Sequence, residues 1–208
     1  AMTGIAILLP LALLMGLAFH FLHGTEQIAT GIDFCGRSLL RVGVALLGAR
    51  ISIEQVADLG WQTGVVVMAA VGLTIGCGLA MAKLLGRRVE EGVLSGGAVA
   101  ICGASAAMAI SSVLPQSRDT ERLTLMTVVG VTVFSTFAMV AYPFAMKLAD
   151  MSGVPGGIFL GGTIHDVAKV VAAGMLLGPE AADTATVVKL FRVLLLVPIV
   201  FLISLAFS

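Results

Sequence analysis

GGTIHDVAKVVAAG, residues 161–174, holds His165, Asp166 and Lys169 inside stretches apolar enough for lipid. An Asp or a Lys at the centre of a membrane helix costs about 2.5 to 3.5 kcal/mol, so such groups must be paired or wet. Helical spacing pairs Asp166 with Lys169 at i,i+3. It also gathers His165, Lys169, Ala172 and Ala173 on one face and Val167, Val170 and Val171 on the other. Pro155 starts a short helix, Gly161 and Gly162 interrupt it, and Thr163-Ile164-His165-Asp166 reads as a capping box opening a new helix partway through the bilayer. The free N–H groups of such a start, around Gly162 and Thr163, form an anion seat.

The rest of the chain requires a membrane. Of 208 residues, 59% are hydrophobic and 12% charged, with a mean hydropathy of +1.09, far from the balance of soluble domains. Seven apolar stretches are long enough to cross a hydrocarbon core: 4–22, 38–58, 62–85, 92–114, 123–146, 154–177 and 187–207. The expected fold is all-α, one polytopic domain over 1–208 with about seven transmembrane helices, two of them discontinuous. The first stretch lacks a basic leader and reads as a membrane helix, not a signal peptide. A net charge of zero gives no footing for nucleic acid. Lipid is the surrounding partner. Three cysteines, Cys35, Cys77 and Cys102, make no disulfide framework. If every stretch crosses once, Lys83, Arg87 and Arg88 lie at the cytoplasmic face and Arg118 and Arg122 opposite.

A second break is expected in SGGAVAICGASAA, residues 95–107, ten of whose thirteen residues are Gly, Ala or Ser. Gly96 and Gly97 suit close helix packing, whereas Gly103, between Cys102 and Ser105, unwinds the helix. Two interrupted spans in one chain point to the substrate site of a secondary transporter. Lys189 and Arg192, at i,i+3, reach lipid headgroups or a bound anion, with headgroups the simpler reading. Arg41 snorkels or faces a cavity, and Arg50 is interfacial. His20 and His23 lack a third ligand for a metal. Thr127, Thr132, Ser135 and Thr136 read as interhelical hydrogen-bonders. No His-Glu-x-x-His, Gly-x-Ser-x-Gly, Walker or dinucleotide motif is present, so neither an enzyme nor a cofactor is expected.

SGGAVAICGASAAMAIS, GTIHDVAKVVAAG, VVKLFRVLLLVPIV and LLRVGVALLGARIS resemble the signature segments of the YeiH family of bacterial inner-membrane proteins, whose members carry the label sulfate exporter. The resemblance spans nearly the whole chain. It implies a multi-pass inner-membrane transporter of inverted-repeat architecture for a small anion such as sulfate or a sulfonate. Its motif residues fall on Cys102, Gly103, Ala104 and Ser105 at one break, His165, Asp166 and Val167 at the other, and Lys189 with Arg192 on the last helix. The pattern departs at Lys169, where the family carries Gln. It also continues past Ser208, so C-terminal helices of the second repeat are expected to be missing, and a homodimer would supply them. The expectation is alternating access, with the anion at both half-helix N-termini and His165, Asp166 and Lys169 as coupling groups. A cation/proton antiporter using Asp166 and Lys169, or a non-transporting scaffold, is the alternative.

Overall fold

The computed structural model describes Met15 and residues 60–207. The expectations for 4–22 and 38–58, and for His20, His23, Cys35, Arg41 and Arg50, lie outside the described residues. Among the described residues eight helices follow in order: α1 Gly60–Leu84, α2 Val89–Ala100, α3 Ala104–Val113, α4 Arg118–Leu148, α5 Gly153–Thr163, α6 Val167–Leu177, α7 Pro179–Leu194 and α8 Leu196–Phe207. Their ends obey local chemistry. Ser117 caps α4 by accepting the Thr120 N–H, with Asp119 and Glu121 in the first turn, where carboxylates favour the helix dipole. Gly178, at φ 129, turns the chain into Pro179 at the start of α7, the position proline favours.

Among the described residues three helical stretches are long and apolar enough to cross a membrane: Gly60–Leu84, Arg118–Leu148 and Pro179–Phe207, of 25, 31 and 29 residues. At 1.5 Å per residue they measure roughly 38, 46 and 43 Å, against a hydrocarbon core of about 30 Å. They carry an exposed apolar surface that includes Leu73, Phe134, Phe137, Phe144, Leu202 and Leu205, as a lipid-facing wall requires. The chain is a multi-pass membrane protein.

The two interrupted stretches behave differently. α2 and α3 have 12 and 10 residues, each roughly half the crossing length, and α3 turns back along α2. A Cβ on Gly97 would strike Ile110 Cδ1. Val93, Leu94 and Ala98 share one core with Ala107, Ile110 and Leu114. In a straight helix residues 97 and 110 would stand about 20 Å apart. α5 and α6, of 11 residues each, form a second hairpin. A Cβ on Gly156 would lie 3.0 Å from Leu177 Cδ1, and one on Gly153 2.9 Å from Glu180 Oε2. The start of α5 therefore sits beside the end of α6. What reads in the sequence as two discontinuous spans is a pair of half-depth hairpins, each returning to the end of the bundle it entered from.

Helix α4 orders them. Near its start the Thr124 hydroxyl donates to Ser111 Oγ at 2.8 Å, at the base of the first hairpin. Near its middle Val131 packs on the tip glycine, Gly103. Near its end the Tyr142 ring meets Phe159 edge-on at 5.5 Å, within the second hairpin. The hairpins thus enter from opposite ends and meet tip to tip at mid-depth. Small residues allow the close packing this needs. A Cβ on Gly78 would be 2.7 Å from Gly96 Cα, one on Gly92 2.9 Å from Ala82 Cβ, and one on Gly174 2.5 Å from Ala182 Cα.

The hairpins also correct the charge map. Because the first returns to its own end, Lys83, Arg87 and Arg88 share that end with Arg118 and Arg122, where a crossing would have separated them. Lys147 lies at the opposite end, beside Asp150. Among the described residues the excess of Lys and Arg at the first end predicts that it is the cytoplasmic one. With Cys35, Cys77 and Cys102 replaced by Ala, single cysteines at Gly86 and Gln116 are expected to react with a membrane-impermeant maleimide only from the cytoplasmic side, and one at Ser152 only from the other. Labelling of Gly86→Cys and Gln116→Cys from opposite sides would restore a crossing α2/α3.

Candidate functional site at the hairpin tips

Each tip frees backbone groups at a depth without bulk water, so every one needs a partner. In the first hairpin α2 ends at Ala100, and Ile101, Cys102 and Gly103 form the turn. Gly103 adopts φ 69, a left-handed conformation that glycine enters without penalty. Its N–H reaches back to Ala98 O at 2.8 Å. In the second hairpin α5 ends at Thr163, and Ile164, His165 and Asp166 form the turn. Asp166, not Thr163, caps α6: its Oδ1 accepts the Ala168 N–H at 3.0 Å.

This displaces the expected capping box. Gly161, Gly162 and Thr163 belong to the end of α5, and the Thr163 hydroxyl donates to Phe159 O within that helix. Gly162 and Thr163 therefore offer carbonyls rather than a helix N-terminus. Gly161 serves packing, since a Cβ there would strike Ala185 O on α7. His165 precedes α6, so the helical wheel that grouped it with Lys169 does not apply to it.

The largest revision concerns Lys189 and Arg192. Neither reaches headgroups: they are 0% and 5% exposed. Counting from Pro179, Lys189 stands about 15 Å along α7, at the depth of the tips. Its ammonium donates to Ile101 O at 2.5 Å. The Arg192 guanidinium holds both hairpins at once. Its Nε donates to Ala100 O at 3.0 Å and its Nη2 to Val99 O at 3.2 Å and again to Ala100 O. Its Nη1 donates to Gly161 O at 3.3 Å and to Gly162 O. The planar fork spans two acceptor sets at once, which an ammonium does not, and cations suit the negative ends of α2 and α5.

The remaining groups converge on the same point. A Cβ on Gly103 would lie 3.2 Å from His165 Cβ and 3.3 Å from Val131 Cγ2, so the absent side chain is what lets the tips touch. Both ring nitrogens of His165 are buried without a hydrogen-bond partner. Lys169 lies 4.0 Å from Asp166 Oδ2 and donates to Thr132 O of α4 at 3.2 Å. Their pairing is as the spacing predicts, with a tie to α4 that spacing does not reveal. Ala104 and Ser105 open α3, whose N-terminus has no side-chain cap. The Ser105 hydroxyl is turned to Cys102 Sγ at 2.8 Å. Thr132 and Thr136 bond back to Val128 O and Thr132 O in their own helix, not across helices.

The charge balance is uneven. Among the described residues the ion pairs are Arg87–Glu91, Arg88–Glu90 and Lys169–Asp166. Lys189 and Arg192 have no carboxylate partner there. Each tip brings one positive and one negative helix end, about half a charge each, so the four ends nearly cancel. Two side-chain cations remain in a low-dielectric site.

Crossing helices around two opposed half-depth hairpins define a polytopic helical membrane protein with a buried, cation-bearing centre. The chain belongs to the family described as conserved hypothetical protein 698, whose model matches residues 2–208, the family its signature segments resemble. It is 52% identical over 197 residues to a UPF0324 membrane protein of Chlorobaculum tepidum, covering 94% of this chain and 55% of that one. It is 54% identical over 198 residues to the UPF0324 membrane protein TauZ of Paracoccus pantotrophus, covering 94% and 58%. It is 50% identical over 195 residues to one from Rhizobium meliloti, covering 94% and 56%. The chain thus spans little more than half the length of these relatives. No solved structure matches it.

Arg192→Ala strands the carbonyls of Ala100 and Gly162, a cost on the order of 3 kcal/mol. Amide exchange at residues 101–104 and 163–166 is expected to quicken by roughly 100-fold, and Arg192→Lys to leave one tip loose. Unchanged exchange at both tips in Arg192→Ala would remove the guanidinium as their tie.

Proposed function

We propose that the protein is a secondary transporter that carries a small anion, such as sulfate or a sulfonate, by alternating access at the hairpin tips. One observation carries the reading: two cations, Lys189 and Arg192, are buried at mid-depth with no carboxylate partner among the described residues. Buried charge is stable when paired, and a bound anion supplies the missing partner. The donors of Arg192 are spent on carbonyls, so its role is the field it sets rather than direct contact. Lys189 has one acceptor, Ile101 O, and two N–H groups to spare. The uncapped start of α3 at Ala104 and Ser105 adds backbone donors. The α6 N-terminus is a weaker seat, because Asp166 already caps it. His165 is the group suited to a coupling proton. The protein on this reading moves its ligand without transforming it.

The cation/proton antiporter is less well supported. Asp166 is engaged by Ala168 and Lys169, and the tip carbonyls that would hold a metal cation are taken by Lys189 and Arg192. In proteoliposomes with radiolabelled sulfate or methanesulfonate inside, the protein is expected to exchange label across the membrane. Lys189→Met, which removes a charge but keeps the bulk, is expected to slow that flux at least about tenfold, the effect of losing one charge-assisted hydrogen bond. His165→Ala is expected to abolish coupling. Sodium flux that needs neither anion would overturn the reading in favour of the antiporter, and silence towards every ion in favour of a scaffold.

A further inference from the structure

Ser135 lies in α4 and is 1% exposed, yet its hydroxyl has no hydrogen-bond partner. That is unusual. Its neighbours Thr132 and Thr136 each bond the carbonyl four residues back, at 2.7 and 2.9 Å, the default for a hydroxyl in an apolar helix. A buried, unsatisfied hydroxyl costs about 1 to 3 kcal/mol, and in native proteins such a group calls for a specific explanation, a bound water or ion among them.

Its place in the fold says where. Ser135 follows Val131 by four residues and Thr132 by three, so it shares their face of α4. Val131 touches Gly103 at the first tip, and the Thr132 carbonyl receives Lys169 from the second hairpin. From the other direction, Tyr142 pairs with Phe159, and α5 runs antiparallel to α4. Seven residues back from Tyr142 is Ser135, and four on from Phe159 the helix α5 ends at Thr163, so the hydroxyl lies within about one helical turn of the second tip. There His165 also has both ring nitrogens buried and unpartnered. The unpartnered buried side-chain N and O atoms among the described residues are Ser135 Oγ and the two nitrogens of His165.

We infer that Ser135 is a ligand-contacting residue, its hydroxyl and the His165 imidazole forming the wall of the anion site that faces Lys189 and Arg192. The inference rests on the anion reading above and adds to it which groups hold the anion's oxygens. Lys189 and Arg192 set the field from one side. Ser135 and one N–H of His165 donate from the other. A neutral hydroxyl fixes orientation without deepening the charge well, so the anion is gripped but still released.

The test is titration of the protein in lipid nanodiscs with sulfate and with methanesulfonate, read by calorimetry and by the imidazole 15N signals of His165 in a His20→Gln, His23→Gln background. In the otherwise unaltered protein either anion is expected to shift the His165 signals. Ser135→Ala is expected to weaken binding on the order of tenfold, the effect of one hydrogen bond to an ion, and His165→Gln to weaken it comparably. Ser135→Thr, which keeps the hydroxyl, is expected to bind more tightly than Ser135→Ala. Binding in Ser135→Ala as tight as in the parent protein overturns this inference and leaves the anion reading standing. Failure of both anions to bind the parent protein overturns the anion reading and this inference with it.

Discussion

Two helices that stop at mid-depth in a bilayer leave carbonyls with no water to bond, and Arg192 answers that constraint for both. Its guanidinium takes the ends of α2 and α5 together, and Lys189 takes the Ile101 carbonyl of the first tip. Unwound backbone survives at this depth only inside protein or beside a wet cavity. One helix, α7, supplies the satisfaction. The same act leaves a residue of positive charge that backbone dipoles cannot absorb, because each tip contributes opposite helix ends in equal measure. Structural need and ligand attraction therefore arise from the same two side chains.

Close approach makes the arrangement possible. Glycines at 78, 92 and 96 bring α1 and α2 into backbone contact, and those at 157, 161 and 174 do the same for the second hairpin against α7. Gly157 leaves so little room that a Cβ would sit 2.6 Å from Thr184 Cβ. With no hydrophobic drive between helices in lipid, such van der Waals contact is the main source of cohesion. α7 is thus the common spine: it packs on α5 and α6 through small residues and reaches both tips through its two cations.

Much of the site was legible in the chain. The small-residue run 95–107 announced a break, and Gly103 is where it falls. The Asp166–Lys169 pair followed from helical spacing. Other residues were misplaced for identifiable reasons. Thr163 looks like an N-cap because a capping box has that pattern, but its hydroxyl prefers Phe159 O while α5 is held straight against α7. For Lys189 and Arg192 headgroup contact is the simpler sequence reading than a bound anion because the apolar run begins at Val187. Gly178-Pro179 is a helix start, and counting from it places both cations deep. Ser135 reads in the sequence as an interhelical hydrogen-bonder, like its threonine neighbours, whereas its buried hydroxyl has no protein partner, which no local pattern distinguishes.

The sequence by itself determined the all-helical membrane class, the family, the two stretches in which the chain uncoils and the ionisable groups of the second, because hydropathy and glycine content are local properties. Only the tertiary structure decided that the interrupted stretches turn back instead of crossing. A turn of three residues is compatible with either path, and contacts such as Gly97 with Ile110 and Gly156 with Leu177 select between them. It likewise decided that Arg192 serves the backbone of both tips, since that requires groups some thirty and ninety residues distant to arrive at one depth.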